Sequence, residues 1–228
     1  DLIRPILRGR DIKRYGYDWA GLWLIATFPS RQYDIDLFPS LKGYLLSIGI
    51  ERLEQTGKTH IVNGERIKAR KKTNNKWFET QDSISYWEDF SKPKIVWGEI
   101  SDRSKFAYEP RGEYVTEATT FLMVGTHLQY LFCILNSPLS EWFFSKVGTT
   151  TGVGTVRWKK FTIQELLIPR ISESEEQIFS SLVQRLIAGE VSINEFSYEV
   201  NSLVYALVGL SGSEINYIQE YCMSLINR

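Results

Sequence analysis

The chain has 228 residues, 43% hydrophobic and 14% aromatic, which is enough for a sizeable core in one domain with an appendage or in two small domains. It has no run of about 18 uncharged apolar residues and no signal-peptide pattern, so neither a transmembrane helix nor a secreted product is expected. Net charge is zero, yet residues 1–170 hold 25 Lys and Arg against 19 Asp and Glu, while residues 171–228 hold 2 against 8.

The first part could therefore meet a polyanion and the second could not easily do so, although scatter among solvated surface charges remains an open reading of the same counts. The chain opens on Asp1 and not Met, so a fragment with an upstream partner is expected. Cys133 and Cys222 sit in apolar helical patterns and read as buried thiols of a cytoplasmic protein, not as a disulfide frame or a metal site.

In chain order, residues 3–15 are short and basic, and Pro5 and Gly9 prevent one regular helix. Residues 22–28 form a continuous apolar run that predicts a buried strand. Residues 39–55 predict a helix, with Pro39 in its first turn, Leu41, Leu45, Ile48 and Leu53 on one face, and Gly57 beyond its end. Residues 56–76 are polar and basic and predict a long exposed loop, with a hairpin at Asn63-Gly64 as an option.

Residues 94–100, 105–108 and 119–124 are rich in β-branched and aromatic side chains and predict strands, with a turn at 110–112. Residues 128–135 and 139–146 predict two helices split at Pro138, followed by a Gly- and Thr-rich loop over 148–155. The last part predicts three helices. Ser172 and Glu175, Ser192 and Glu195, and Ser211 and Glu214 each form a capping-box pattern, and Gly189 and Gly209 mark helix ends. In the middle helix, Ile193, Phe196, Val200, Leu203, Val204 and Leu207 share one face. The reading is an α+β fold with a mixed sheet over residues 1–170 and a C-terminal helical appendage over 171–228.

Catalytic patterns are thin. His60 has no acidic partner at a telling spacing, and His127 begins a helix and reads as a capping or packing residue. No zinc spacing, Walker loop or dinucleotide fingerprint is present. Glu99, Asp102 and Lys105 are the one set that could mimic a metal-dependent nuclease, and solvated charges at a strand end are the simpler reading. No catalytic residue, metal ligand or cofactor-binding residue is assigned.

Three clusters combine cations with aromatic, glycine or threonine residues. The first is Arg8, Arg10, Lys13 and Arg14, near Tyr15 and Tyr17. The second is Arg66, Lys68, Arg70, Lys71, Lys72 and Lys76, running into Trp77. The third is Thr149, Thr150 and Thr151, followed by Arg157, Trp158, Lys159 and Lys160. Loop cations neutralise phosphates, arginine can bind guanine bidentately, and Gly/Thr backbone can approach a phosphate closely.

The order of motifs resembles the TaqI-like C-terminal specificity domains of restriction-modification enzymes. Residues 3–15 resemble that family's opening segment. Lys76-Trp77-Phe78-Glu79 is similar to its KWYEL element, and Lys92-Pro93-Lys94-Ile95-Val96 with Glu99-Ile100-Ser101 is similar to its KPKIIxxEIS strand. Thr119-Thr120-Phe121 and Leu135-Asn136-Ser137-Pro138-Leu139 resemble its NTTY and LNSKL elements. Gly154-Thr155-Val156-Arg157-Trp158-Lys159-Lys160, with Leu167-Ile168-Pro169 after it, is similar to its GGGYLRFKK…LPIP ending, and residues 200–214 resemble a helical ending common in such chains. The loop at 148–155 departs from the family in carrying threonines where glycines are usual.

The resemblance implies sequence-specific recognition of double-stranded DNA in a bacterial restriction system. It implies an upstream S-adenosylmethionine-dependent, adenine-specific methyltransferase domain on the same parent chain, with no cofactor in this fragment. A fused nuclease is compatible with it. Half of a type I-like specificity subunit and a metal-dependent nuclease domain are the alternatives. Gly189 and Gly209 interrupt the terminal helices and argue against the long spacer of the first.

Overall fold

A computed structural model describes residues 2–148 and 156–226. Its strands are β1 (Ile3–Leu7), β2 (Ile12–Lys13), β3 (Gly16–Tyr17), β4 (Trp23–Ile25), β5 (Thr59–Val62), β6 (Glu65–Lys68), β7 (Lys94–Gly98), β8 (Ile100–Ser101), β9 (Phe106–Glu109), β10 (Val115–Thr116), β11 (Thr120–Met123) and β12 (Val156–Arg157). Its helices are α1 (Pro39–Ile48), α2 (Ile50–Leu53), α3 (Leu128–Leu135), α4 (Pro138–Val147), α5 (Lys160–Gln164), α6 (Glu173–Ile187), α7 (Ile193–Leu207) and α8 (Gly212–Ile226). The fold class is α+β, as the sequence predicts.

The chain forms two compact units. One comprises Asp1–Arg4 and Trp23–Trp87, the other Pro5–Leu22 and Glu88–Arg228. These divisions do not coincide with the 170/171 boundary read from the sequence.

The first unit is small. Ile35, Leu45 and Phe78 are its buried centre, with Ile25, Tyr33, Leu41, Leu53 and Trp77 packed around them. The apolar run at 22–28 yields a shorter strand than predicted. Trp23 is 57% exposed, and the buried residues after Ile25 leave the strand because Thr27 is engaged elsewhere. Its Oγ1 donates to Phe78 C=O at 2.6 Å and its carbonyl accepts from Thr80 N–H at 2.9 Å. The helix predicted over 39–55 breaks at Gly49, whose φ of +100° lies outside helical geometry and suits a residue without a Cβ. The 56–76 segment is not loop throughout. β5 and β6 pair as an antiparallel hairpin, with Asn63 (φ +49°) and Gly64 (φ +83°) at the turn. Two consecutive left-handed residues match the right-handed strand twist, which is why Asn-Gly closes it.

The second unit is built on the antiparallel sheet β11–β7–β9, in which Trp97 opposes both Phe121 and Phe106. Alternation along β7 sends Ile95 and Trp97 into the main core and Val96 into a second cluster with Leu7, Ile12 and Ala107. Lys94 and Glu109 oppose each other and are wholly buried as an ion pair, and the Lys94 ammonium also donates to Phe90 C=O at 2.8 Å. The C-terminal helices are part of this core. Phe179, Leu182 and Val183 of α6 and Phe196, Val200 and Val204 of α7 join Ile95, Trp97, Phe106 and Phe132. Ile193, expected on the buried face of α7, is 56% exposed because it occupies the first turn.

The three capping boxes form as predicted, each serine accepting from the Glu backbone N–H and each carboxylate returning to the serine N–H. That return bond holds the Glu175 and Glu195 carboxyls below their usual range. Cys133 and Cys222 are buried free thiols. Burial raises both, that of Cys222 to about 12. Among the described residues, no helix is long and apolar enough to cross a membrane.

Candidate nucleic-acid interface

The first unit carries the densest basic segment. Residues 58–76 hold seven Lys and Arg and a single carboxylate, Glu65. The hairpin that carries part of this charge is anchored at its base. Gly57 N–H donates to Arg70 C=O at 2.8 Å, Ala69 N–H to Lys58 C=O at 2.9 Å, and Arg70 N–H to Glu54 C=O at 3.1 Å. The Arg70 guanidinium donates to the carbonyls of Leu53 (2.6 Å), Glu79 (2.8 Å) and Trp77, and burial lowers its pKa. Gln55, buried, donates to Lys76 and Glu79 carbonyls, and His60 pairs with Glu54.

Arg70 is therefore a clasp for its own unit. Lys68, Lys71, Lys72 and Lys76 are exposed, and the Lys76 ammonium lies 5.6 Å from the Phe78 ring centroid. Arg66 is exposed as well.

The second unit has a shallow cleft that takes in two of the other candidate cations. Arg10 and Lys13 line it from the opening segment, and Glu99, Ser101, Asp102 and Lys105 line it from the β7–β8 junction, β8 and the turn that follows. Spacing along the chain gives no hint that residues 10–13 meet residues 99–105. Arg10 and Lys13 are exposed, and the Lys13 ammonium donates to Arg10 C=O at 3.0 Å.

Two neighbouring arginines are turned to the protein. Arg8 grips Asp11 with two bonds, of 3.0 and 2.7 Å, and Arg14 donates to Asn136 C=O at the end of α3. Arg157 is fixed by its strand. β12 pairs with β8, and buried Trp158 donates its N–H to Glu99 C=O at 2.7 Å. The Arg157 guanidinium then donates to the Glu99 carboxylate at 3.0 Å, leaving its side chain 41% exposed. Lys159 sits 5.8 Å from the Phe161 ring centroid, and Lys160 is exposed at the start of α5. Thr149, Thr150 and Thr151 lie outside the described residues.

The carboxylates read as a nuclease option are held by cations. Asp102 accepts from Lys105 at 2.6 Å. Burial acts to raise its carboxyl, but the Lys105 hydrogen bond and charge outweigh that and hold it below the usual range. Glu99 is paired with Arg157. Among the described residues, no group of three or more His, Cys, Asp or Glu is placed to hold a metal. His127, expected to cap or pack, pairs with Glu176 at 2.7 Å. Its positive φ of 59° and the absence of a side-chain cap bond set it apart from the serine caps.

Residues 4–168 match the family of TaqI-like C-terminal specificity domains. No curated protein matches the chain. A solved structure, the type IIG restriction endonuclease BpuSI, is similar over 91% of this chain, with 15% sequence identity and a TM-score of 0.48. The chain spans 26% of the length of that structure. The family match extends over well more than half of the residues, and the chain belongs to the TaqI-like C-terminal specificity domains.

Proposed function

We propose that the chain is the sequence-specific double-stranded DNA recognition module of a restriction-modification adenine methyltransferase. The observation that carries this reading is the family match across residues 4–168. In this reading an upstream domain of the parent chain binds S-adenosylmethionine and transfers the methyl group, while this chain grips the duplex and sets the target in register. The cations exposed in each unit suit that work, because neutralising phosphates supplies most non-specific affinity and base contacts add selectivity. Lys68, Lys71, Lys72 and Lys76 in one unit, and Arg10, Lys13, Lys159 and Lys160 in the other, are the phosphate contacts. Thr149, Thr150 and Thr151 belong to the same proposal from the sequence alone.

The test is duplex binding by fluorescence anisotropy at several salt concentrations. Affinity should fall steeply with salt, with a log–log slope of roughly −0.9 per phosphate neutralised. A flat salt dependence, or no duplex binding at any salt, would sink the reading. Calorimetry of the same chain with S-adenosylmethionine should show no saturable site, and a saturable one would remove the division of labour.

A further inference from the structure

The β5–β6 hairpin has two unlike faces. Cross-strand partners share a side, so Thr59 with Lys68 and Ile61 with Arg66 form one face, and His60 with Ile67 and Val62 with Glu65 form the other. The second face is turned toward its own unit. His60, Val62 and Ile67 are half-buried and His60 is paired with Glu54. The first face is exposed at all four positions, and Ile61 is 77% exposed. Neither Arg66 nor Lys68 forms a side-chain hydrogen bond or ion pair with another described residue. Ile61 therefore gives this face an open apolar side chain beside two cations and a threonine.

We infer that the β5–β6 ribbon is a base-reading element that enters the major groove of duplex DNA, with Arg66 and Ile61 in contact with base edges and Lys68 on a phosphate. The inference rests on the reading of the chain as a DNA-recognition module and adds to it the element, the groove and the residues.

Three physical arguments carry it. The first is charge. The hairpin and the segment that follows it to residue 76 hold six cations to one carboxylate, and Glu65 lies on the opposite face from Arg66 and Lys68. The second is shape. Strands about 4.8 Å apart and four residues long, hence about 13 Å in reach, fit a groove about 12 Å wide and about 8.5 Å deep. The third is chemistry. The exposed set supplies a bidentate donor for guanine, a methyl-bearing side chain for the thymine methyl, a hydroxyl and a point charge. Arg70 anchors the base of the ribbon on the Leu53 and Glu79 carbonyls, the kind of support a base-reading side chain requires.

The experiment uses the full chain and a library of duplexes with a randomised 12-base-pair centre. The wild-type chain should enrich a motif. On the enriched duplex, Arg66→Ala should weaken binding about tenfold or more and by less than about twofold on a scrambled duplex, which erases one guanine position from the motif. Ile61→Ala should remove a thymine preference. Deoxyuridine in place of that thymine should weaken wild-type binding and leave the binding of Ile61→Ala unchanged. Lys68→Ala should weaken all duplexes alike and reduce the salt slope by about one unit.

Melting temperatures, which these exposed substitutions should leave within about 2 °C, exclude misfolding as the cause. A wild-type motif that survives Arg66→Ala and Ile61→Ala unchanged overturns the ribbon and leaves the recognition reading standing. Equal affinity for duplex RNA of the enriched sequence also overturns it, because the A-form major groove is too narrow to admit the ribbon. A wild-type chain that binds no duplex overturns both.

Discussion

Residues 8–14 of the second unit and residues 66–72 of the first are both dense in cations, but they use them differently. In the former, Arg8 is bound bidentately to Asp11 and Arg14 to the Asn136 carbonyl, and only Arg10 and Lys13 face the cleft. In the latter, Arg70 alone turns inward, onto three carbonyls, and Arg66, Lys68, Lys71 and Lys72 stand in solvent. The contrast shows what decides a cation's role. A guanidinium near a helix end or tight turn finds unpaired carbonyls, as Arg14 and Arg70 do, or a carboxylate, as Arg8 does, and becomes a clasp. A cation on the outer face of a two-stranded ribbon projects away from the plane in which the backbone carbonyls lie, and it stays available to a ligand.

Lys94 is the extreme of the inward class, and its loss should have the largest effect. Replacing it with Met strands the wholly buried Glu109 carboxylate beside an apolar side chain. Breaking one side of a buried pair typically costs about 3–5 kcal/mol. Urea denaturation of Lys94→Met should show a loss of that size. The double variant Lys94→Met/Glu109→Gln should recover part of it, because no buried charge is then left alone. A single variant as stable as wild type would mean that the pair is open to water in solution.

Arg70→Ala comes next. It leaves the Leu53, Trp77 and Glu79 carbonyls without their shared donor, and it loosens the base of the ribbon. A loss of about 2–3 kcal/mol is expected from charge-assisted bonds of this kind. Lys at this position should restore little, since one ammonium cannot replace a planar fork across three acceptors. By contrast, Arg66→Ala and Lys68→Ala should change stability by less than about 0.5 kcal/mol. If Arg66→Ala proved as destabilising as Arg70→Ala, the division into inward and outward cations would fail.

The sequence reveals the parts of this fold that rest on local rules. The strands of the β7–β9–β11 sheet, the split of α3 from α4 at Pro138, and the three serine caps follow from alternation, proline chemistry and capping spacing. The Asn63-Gly64 turn was legible too, although a polar, basic segment gave no periodic signal for the strands beside it.

Other features depend on distant partners, which no window of sequence contains. Thr27 leaves a strand because Phe78 and Thr80 claim its hydroxyl and carbonyl. The terminal helices look detachable from charge and caps alone, yet their apolar stripes fill the same core as β7. Among the candidate site residues, composition picks out the basic clusters but does not separate Arg66 from Arg70. The two differ only in whether carbonyls from Leu53, Trp77 and Glu79 converge on the side chain.

The smallest expected effect is a pH dependence at the Arg8–Asp11 pair. The side-chain hydrogen bond from Arg8 is the main reason the Asp11 carboxyl is held below its ordinary value, with the Arg8 backbone N–H adding a bond of 2.9 Å. A carboxyl depressed in the folded state contributes stability that is present above its unfolded value, about 3.9, and is lost as pH falls through the folded value. Above about pH 5 the pair should therefore add no pH dependence, because Asp11 is ionised whether the chain is folded or not. Below about pH 4 the wild-type chain should lose stability more steeply than Asp11→Asn. Arg8→Ala should flatten the acid limb of the wild-type curve in the same sense, since it removes the first cause of the shift. Melting temperature against pH for the wild type and the two single variants decides the matter. Parallel acid limbs in all three would show that Arg8 is not held by Asp11 in solution, and Arg8 would then join Arg10 and Lys13 among the cations free to meet a phosphate.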